Sequence, residues 1–390
     1  MPRLLFLFFF LPLVLQAQAQ SVPAKATPVV SALAIPSAQT KSTQALATYL
    51  NSHLKTEEEK VHAIFFWLAS NIAYDVKTFT NAPLYYEREA LIRQTMATRK
   101  ALCQGYAEVF LDLCTKTGIQ AHLITGFILP KGTAKPMTHA WCAAQVNGQW
   151  YLFDPTWGAG FVENGVFVKK LNPRHFKVAP AEMIKTHMPF DPLWQLLEQP
   201  VSYQQFLSSS PSTLKPKTVF AYKDTLKAYA SAAEKARLVG AIRRMESQKV
   251  IPPVVLEQLN QSKKNLAVFR KNEAVDLFNT AVSAYNKGID GLNGFIRHKN
   301  NQFKTAKKEQ DIRQQVTGPK KYFSEARELL QRLHPLDNTS LLLSVQSLHQ
   351  KVAEGLQEIE KQEKFLEVYF STAPARRHTL FYRQAIAERQ

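Results

Sequence analysis

The dipeptide Asn147-Gly148 constrains this chain more than any other feature. It separates two strand-like runs, Thr138–Val146 and Gln149–Asp154. A two-residue Asn-Gly loop between such runs is the strongest short-range hairpin signal, because both loop positions need positive φ. The loop length fixes the register: Val146 faces Gln149, Trp141 faces Asp154 and His139 faces Thr156. Side chains alternate with period two, so His139, Trp141, Leu152 and Asp154 share one face. His139 and Asp154 then become diagonal neighbours, roughly 5–8 Å apart at Cβ, within reach for a carboxylate to orient an imidazole. A slip of one residue would send them to opposite faces. An isolated histidine is more often structural; the shared face reverses that preference.

Upstream, Cys103 opens the segment CQGYAEVFLDLCTKTGI. Tyr106, Val109, Phe110, Leu113 and Cys114 recur at helical spacing, and Gly118 supplies a stop. The spacing predicts a helix with Cys103 in its first turn, where unpaired N–H groups and the positive dipole end favour a thiolate. The same N–H groups can hold an oxyanion. A cysteine chosen at random is usually an inert core residue. Cys114, three turns along the same stripe, and Cys142 are read that way. Thiol, imidazole and carboxylate in this order are the ingredients of nucleophilic acyl transfer. Cys103 is the nucleophile, and His139 is the base that takes its proton and returns one to the leaving amine. Asp154 fixes the tautomer and steadies the imidazolium.

KALCQGYAEVFLDLCTKTGI, the GFIL strand, THAWCAAQV and WYLFDPTW together resemble the transglutaminase-like superfamily, over about residues 43–206. His-Ala-Trp and Asp-Pro-Thr-Trp are the most specific pieces. FFWLASNIAYD (Phe65 to Asp75) looks like the family's lead-in helix and Ile-x-Tyr-Asp segment. The resemblance implies an α+β, papain-like, transglutaminase-type core: a helix carrying Cys packed on an antiparallel sheet, with His and Asp on neighbouring strands. It also implies that Tyr74 lines the site and helps the oxyanion, although a half-buried aromatic would read the same from sequence. Gln104, which follows the thiol, is a second candidate donor, and Trp141 and Trp157 are candidates to line the substrate. Ala101 departs from the pattern, since many relatives carry glycine there, which bears on the turn into the helix and not on the triad.

The rest of the chain gives its organisation. Residues 1–19 hold Met-Pro-Arg, an apolar run from Leu4 to Leu15 and an Ala17-Gln18-Ala19 cleavage signature, the pattern of a signal peptide. The run is too short to span a bilayer, so a mature protein exported to the periplasm or beyond, with no transmembrane span, is expected. No cysteine follows the cleavage point, which argues against a lipid anchor. Residues 20–40 read as an N-terminal arm and 41–206 as the thiol domain. Within the latter, Gln44–Leu54 and Glu57–Asn71 are predicted helices, with Thr56 and Glu59 forming a capping box. Asn164-Gly165 marks a second hairpin, and HMPFDPLWQLLEQPVSYQQF closes the domain. His53 and His62 are read as structural, and His175 and His187 as surface or packing residues. The three cysteines form neither a disulfide framework nor zinc-site spacing. No metal or cofactor is expected.

From about residue 207 the composition changes. Ser208 to Ser212 reads as a linker, followed by an Ala-rich helix at Leu226–Met245 and three amphipathic stripes. The first stripe runs Val275, Phe278, Val282, Tyr285, Ile289, Leu292 and Ile296; others start at Tyr322 and Leu341, the last capped by Asn338 or Thr339. An all-α bundle over 207–390 follows, in which Gly288, Gly291, Gly294 and Pro335 interrupt any continuous coiled coil. Residues 201–390 carry 31 Lys and Arg against 18 Asp and Glu, leaving +13 of the total +18 in this half. A basic domain outside the cytoplasm would suit an anionic envelope component, and a solvated basic face would look the same. No nucleic-acid motif is present in the sequence.

The function expected is an exported cysteine-dependent acyl-transfer enzyme acting on protein or peptide amide bonds. Hydrolysis is favoured over lysine cross-linking, because nothing resembles calcium loops or flanking β-sandwiches. The contrasting reading is a non-catalytic envelope-binding or adaptor module on the same fold; the intact thiol, imidazole and carboxylate count against it.

Overall fold

The Asn147-Gly148 turn forms as its chemistry dictates, with φ of 53° and 78°, the type I′ geometry that matches strand twist. A computed structural model describes residues 33–79, 87–130, 135–208, 219–304, 308–333 and 339–381. The signal-peptide reading of 1–19, most of the 208–212 linker, Pro335 and the Asn338 cap lie outside the described residues. The described residues fall into two units, divided between Leu226 and Lys227.

The first unit opens with helices α1 (Thr43–His53) and α2 (Glu57–Asn71). The Thr56–Glu59 capping box is formed, and it starts α2 at the residue the sequence indicates. A two-residue strand β1 (Ala73–Tyr74) follows, then α3 (Val76–Phe79) and α4 (Arg88–Thr98). Strand β2 (Lys100–Ala101) leads into α5 (Cys103–Lys116). Helix α5 stops at Gly118, which has φ of 81°, while the Ile119 N–H closes back on the Cys114 carbonyl.

Strands β3 (Ala121–Ile128), β4 (Met137–Val146) and β5 (Gln149–Phe153) then form an antiparallel sheet. It is completed by β8 (His187–Pro189), in the order β5-β4-β3-β8. Between β5 and β8 lie α6 (Pro155–Ala159), a hairpin of β6 (Gly160–Glu163) and β7 (Val166–Lys169), and α7 (Pro180–Met183). The β4–β5 register is the one the loop length predicts, from Val146 opposite Gln149 to Cys142 opposite Phe153. The ladder ends there, so the expected pairs Trp141–Asp154 and His139–Thr156 do not form. Pro155 is the physical reason: it has no N–H for a ladder and its fixed φ starts a helix instead.

The even-numbered residues of β4, Ala140, Cys142, Ala144 and Val146, join Phe153 in a core with Phe65, Leu68, Tyr106, Phe110 and Leu113 from α2 and α5. That burial seats α5 on the sheet. The other face carries Trp141 and Leu152, enclosed by Met183, His187 and Trp194. The unit is thus an α+β core with a cysteine-bearing helix on an antiparallel sheet. Helices α8 (Tyr203–Ser208) and α9 (Tyr222–Ser231) follow, and α9 runs across the division between the units.

The second unit is helical: α10 (Glu234–Glu246), α11 (Pro253–Asn300), α12 (Glu309–Gln331) and α13 (Thr339–Ser371). The stripes predicted on α12 and α13 pack against α11, with Leu292, Phe295, Phe323, Ile359 and Leu366 in one cluster and Ala281, Ala326, Leu330, Val345 and Val352 in another. Of the stripe predicted on α11 only Leu292 is buried, and Phe278, Val282, Tyr285, Ile289 and Ile296 are partly buried at its margin. The three glycines of α11 do not interrupt it. Gly288 and Gly355 lie against the Phe323 ring, and Gly291 seats Pro319, so the missing side chains admit bulky partners. No described helix is long and apolar enough to cross a membrane.

Candidate active site

Two short elements carry the thiol to its place. Strand β1 pairs in parallel with β2, Tyr74 opposite Ala101, and Asp75 N–H bonds to the Ala101 carbonyl at 3.0 Å. The Ile-x-Tyr-Asp segment is therefore laid beside the residues that lead into Cys103. Tyr106 locks the same junction, its hydroxyl donating to the Ile72 carbonyl at 2.7 Å. Cys103 is the first residue of α5 and is partly exposed, whereas Cys114 and Cys142 are buried. The Gly105 N–H bonds to the Leu102 carbonyl at 3.0 Å, and helix geometry leaves the Cys103 and Gln104 N–H groups ahead of it without intrahelical acceptors. Burial pushes the Cys114 and Cys142 thiols well up, and Cys142 Sγ donates weakly to the Ala107 carbonyl at 3.6 Å. Both are core residues.

His139 Nε2 lies 2.9 Å from Asp154 Oδ2, and the Cys103 thiol is near enough to raise the basicity of the same ring. With Nε2 engaged by the carboxylate, Nδ1 is the ring nitrogen left for a second partner. The pair is dry: side-chain exposure is 6% for His139 and 0% for Asp154. Burial opposes charge on the ring, yet the Asp154 charge and hydrogen bond, with a further contribution from Cys103, push His139 up to about 10. Burial likewise opposes the Asp154 anion, and the His139 charge and the bonds from His139 and His187 override it, holding the carboxyl far below the usual carboxylate range.

Asp154 reaches this position because it caps α6 as well as ending β5. Its Oδ1 accepts the Thr156 and Trp157 N–H groups at 2.9 and 3.1 Å, and its own N–H donates to the His175 carbonyl at 3.0 Å. The Asp-Pro-Thr-Trp piece is thus an N-cap, which explains an acid followed by proline.

One participant differs from its expected role. His187 is neither surface nor passive packing. Its Nε2 lies 3.1 Å from Asp154 Oδ2, the oxygen that also takes His139. Strand β8 delivers it by pairing with the edge of β3, Ile128 opposite His187. The segment that closes the domain in sequence therefore also supplies a site residue. Strand pairing across 59 residues leaves no local trace, so only the strand-like triplet His187–Pro189 before Asp191-Pro192 hints at it.

Trp157 lies over both rings, 5.8 Å from His139 and 4.6 Å from His187 between centroids. Trp141 stacks at 6.2 Å from His139 and is buried, so it packs behind the imidazole. Tyr74 is half-buried, and burial, with the nearby Cys103 and Asp154, drives its hydroxyl well above the usual tyrosine range; it stays protonated and able to donate. The Gln104 amide donates to Glu108 one turn along α5 at 3.0 Å, and Glu108 also holds Arg88. His139, Asp154 and His187 present ligand-type atoms within 4.8 Å of one another, the group among the described residues that could hold a metal ion. Their spacing here is that of two hydrogen bonds converging on one oxygen.

The profile of the transglutaminase-like superfamily matches residues 44–155. Residues 44–155 are a transglutaminase-like domain. The match takes in Tyr74, Cys103, His139 and Asp154, and ends before His187. Kyphoscoliosis peptidase from mouse is 33% identical over 173 residues, covering 42% of this chain and 26% of that protein. The human protein is 33% identical over 170 residues, covering 41% and 25%. The aligned region thus spans about a quarter of the length of these curated relatives. Among solved structures, a proposed cysteine protease from Cytophaga hutchinsonii aligns over 31% of this chain and 40% of its own, at 24% identity and a TM-score of 0.24. A TGase aligns over 36% of this chain and 37% of its own, at 18% identity and a TM-score of 0.25.

Proposed function

We propose that the transglutaminase-like domain is a thiol acyl-transfer enzyme that cleaves amide bonds of proteins or peptides through Cys103, His139 and Asp154. The observation that carries this reading is the hydrogen bond from His139 Nε2 to a fully buried carboxylate, with a partly exposed thiol at a helix N-terminus near enough to act on the same ring. A buried anion costs stability unless it is paired and hydrogen-bonded; the pairing of Asp154 with His139 keeps one ring nitrogen protonated and leaves the other for the thiol. The thiolate attacks the amide carbonyl, and the oxyanion meets the Cys103 and Gln104 N–H groups at the start of α5 and the Tyr74 hydroxyl. His139 gives its proton to the departing amine, leaving a thioester on Cys103. Water then attacks, His139 takes the proton, and the acid leaves as the thiolate reforms. A lysine amine in place of that water would give cross-linking. The name of the mouse and human relatives supports hydrolysis.

Export rests on the composition of residues 1–19, and an anionic envelope partner on the excess of Lys and Arg beyond residue 200. The deciding assay incubates the full chain with an unfolded protein substrate and a fluorescent primary amine. New N-termini from wild type, and none from Cys103→Ala, are expected. Amine incorporation without cleavage would make the enzyme a transamidase, and equal activity in Cys103→Ala would remove the thiol from the chemistry.

A further inference from the structure

We propose that His187 is a positioning residue of the thiol site, holding the Asp154 carboxylate ionised and oriented on His139 by donating to it as a neutral imidazole. The inference rests on the acyl-transfer reading above. Asp154 accepts four hydrogen bonds, which is the capacity of a carboxylate. Oδ1 takes the Thr156 and Trp157 N–H groups, and Oδ2 takes His139 at 2.9 Å and His187 at 3.1 Å. With all four sites filled, the carboxylate can neither rotate nor turn to solvent. Without His187 one lone pair of a fully buried anion would go unmet, which is costly.

The tautomer of His187 follows from its two partners. Nε2 faces a carboxylate that can only accept, so the proton sits there. Nδ1 lies 2.7 Å from the Thr186 hydroxyl, which can donate to it in place of its longer, 3.3 Å bond to the Met183 carbonyl. The neutral ring is thus satisfied at both nitrogens, and its side chain is fully buried. The charged and titratable groups around it are Asp154, His139 and His175, with the indoles of Trp141 and Trp157 against its faces. Burial, opposed by Asp154 and reinforced by His139 and His175, holds its basicity below that of an ordinary histidine. The two imidazoles on one oxygen therefore differ: His139 carries the positive charge, and His187 lends a bond without neutralising the anion that His139 needs. A lysine or arginine at position 187 would compete for that charge.

The test follows alkylation of Cys103 by iodoacetamide against pH, read on the Cys103 peptide by mass spectrometry. Wild type, His139→Ala, His187→Phe and His187→Gln are compared in the full chain. Phenylalanine keeps ring volume without a donor, and glutamine places an N–H near the Nε2 position. His187→Phe is expected to react at least tenfold more slowly at pH 5–6, with its acid limb moved toward neutral pH, and His187→Gln to recover to within about threefold of wild type. Superimposable wild-type and His187→Phe profiles, or equal shifts in both His187 variants, overturn the proposal while leaving the triad standing. Absence of any His139-dependent reaction on the acid side in wild type overturns the acyl-transfer reading itself, and the role of His187 with it. A readout needing no variant is the ring nitrogen NMR of wild type, where His187 is expected as the neutral Nε2–H tautomer from pH 7 to 8. A doubly protonated ring, or an Nδ1–H tautomer, in that range refutes the inference.

Discussion

Replacing Asp154 by Asn should disable the thiol site without unfolding the domain, and the structure sets the size of the effect. The substitution preserves shape, and the amide oxygen can keep the Thr156 and Trp157 N–H groups. The amide nitrogen then replaces Oδ2 and turns N–H bonds toward two imidazole nitrogens that now donate. His139 can relieve the conflict only by moving its proton to Nδ1, the nitrogen that the proposed mechanism needs as the base. It then has no lone pair for the thiol proton, so its role as a base is lost. The electrostatic loss points the same way. An opposite charge a hydrogen bond away contributes roughly 4 kcal/mol at an effective dielectric near 20, about three tenfold steps in a proton equilibrium. A rise in His139 from 6.5 to about 10 is of this size. Without the Asp154 charge, burial dominates, and His139 is expected to titrate below 6.5 and to be neutral at pH 7.

The turnover rate should therefore fall by about 10³–10⁴-fold, the size found when the acid of a comparable triad becomes an amide. That is ~4–5 kcal/mol of barrier. Folding should lose only about 1–3 kcal/mol, the cost of a poorly matched buried donor, because His187 can move its own proton toward the Thr186 hydroxyl. Two assays separate the effects: cleavage kinetics on a substrate that wild type turns over, and urea unfolding of both proteins. NMR titration of His139 supplies the electrostatic check. A rate within tenfold of wild type, or a His139 still titrating near 10, would refute the assignment of Asp154 as the source of charge and tautomer control.

Stability should also carry the signature of the buried pair. His139 has a folded value above its ordinary one, so its contribution is complete below about 6.5 and fades as pH rises through about 10. Asp154 behaves in the opposite sense, contributing above the ordinary carboxylate range and losing its share only in strong acid. Thermal melts from pH 7 to 10.5 should fall more steeply in wild type than in His139→Gln, and parallel curves would contradict this. In the helical unit, Gly355→Ala should destabilise by about 1–3 kcal/mol, because its Cβ would sit 2.7 Å from the Phe323 ring. Gly294→Ala meets nothing closer than 3.9 Å, and should stabilise by ~0.5–1 kcal/mol; urea midpoints moving in the same direction for both would show that the clasp on Phe323 carries no weight.

Much of the fold was legible wherever the determinant is local. The Asn147-Gly148 loop set a register that holds over the whole β4–β5 ladder, and the Thr56–Glu59 box and Gly118 marked the ends of α2 and α5. Position 154 shows the limit of the same method. Alternation carries a strand reading through Asp154, but Pro155 withdraws the next N–H and begins a helix, so the acid becomes a cap. The two functions coincide: the backbone turn that spends Oδ1 on two N–H groups leaves Oδ2 aimed at His139. In α11 the glycines read only as interruptions of a continuous coiled coil, since glycine has poor helix propensity, about 1 kcal/mol each. Contacts between helices, with Phe323 between Gly288 and Gly355 and Pro319 on Gly291, reverse that sign, and no property of α11 alone encodes them.

The candidates Cys103, His139 and Asp154 each carry a local sequence mark: a helix start, a strand leading to an Asn-Gly loop, and an Asp-Pro cap. His187 has no such mark. It reaches Asp154 through β8, whose place on the sheet is decided by the free edge of β3 and by the apolar surface around Trp141 and Leu152 that the segment covers. Its burial is a consequence of that covering, and the burial in turn lowers its basicity and keeps its hydrogen bond directed. A histidine of this kind becomes visible only after the sheet is assembled, when a carboxylate with one unfilled lone pair identifies the donor it requires.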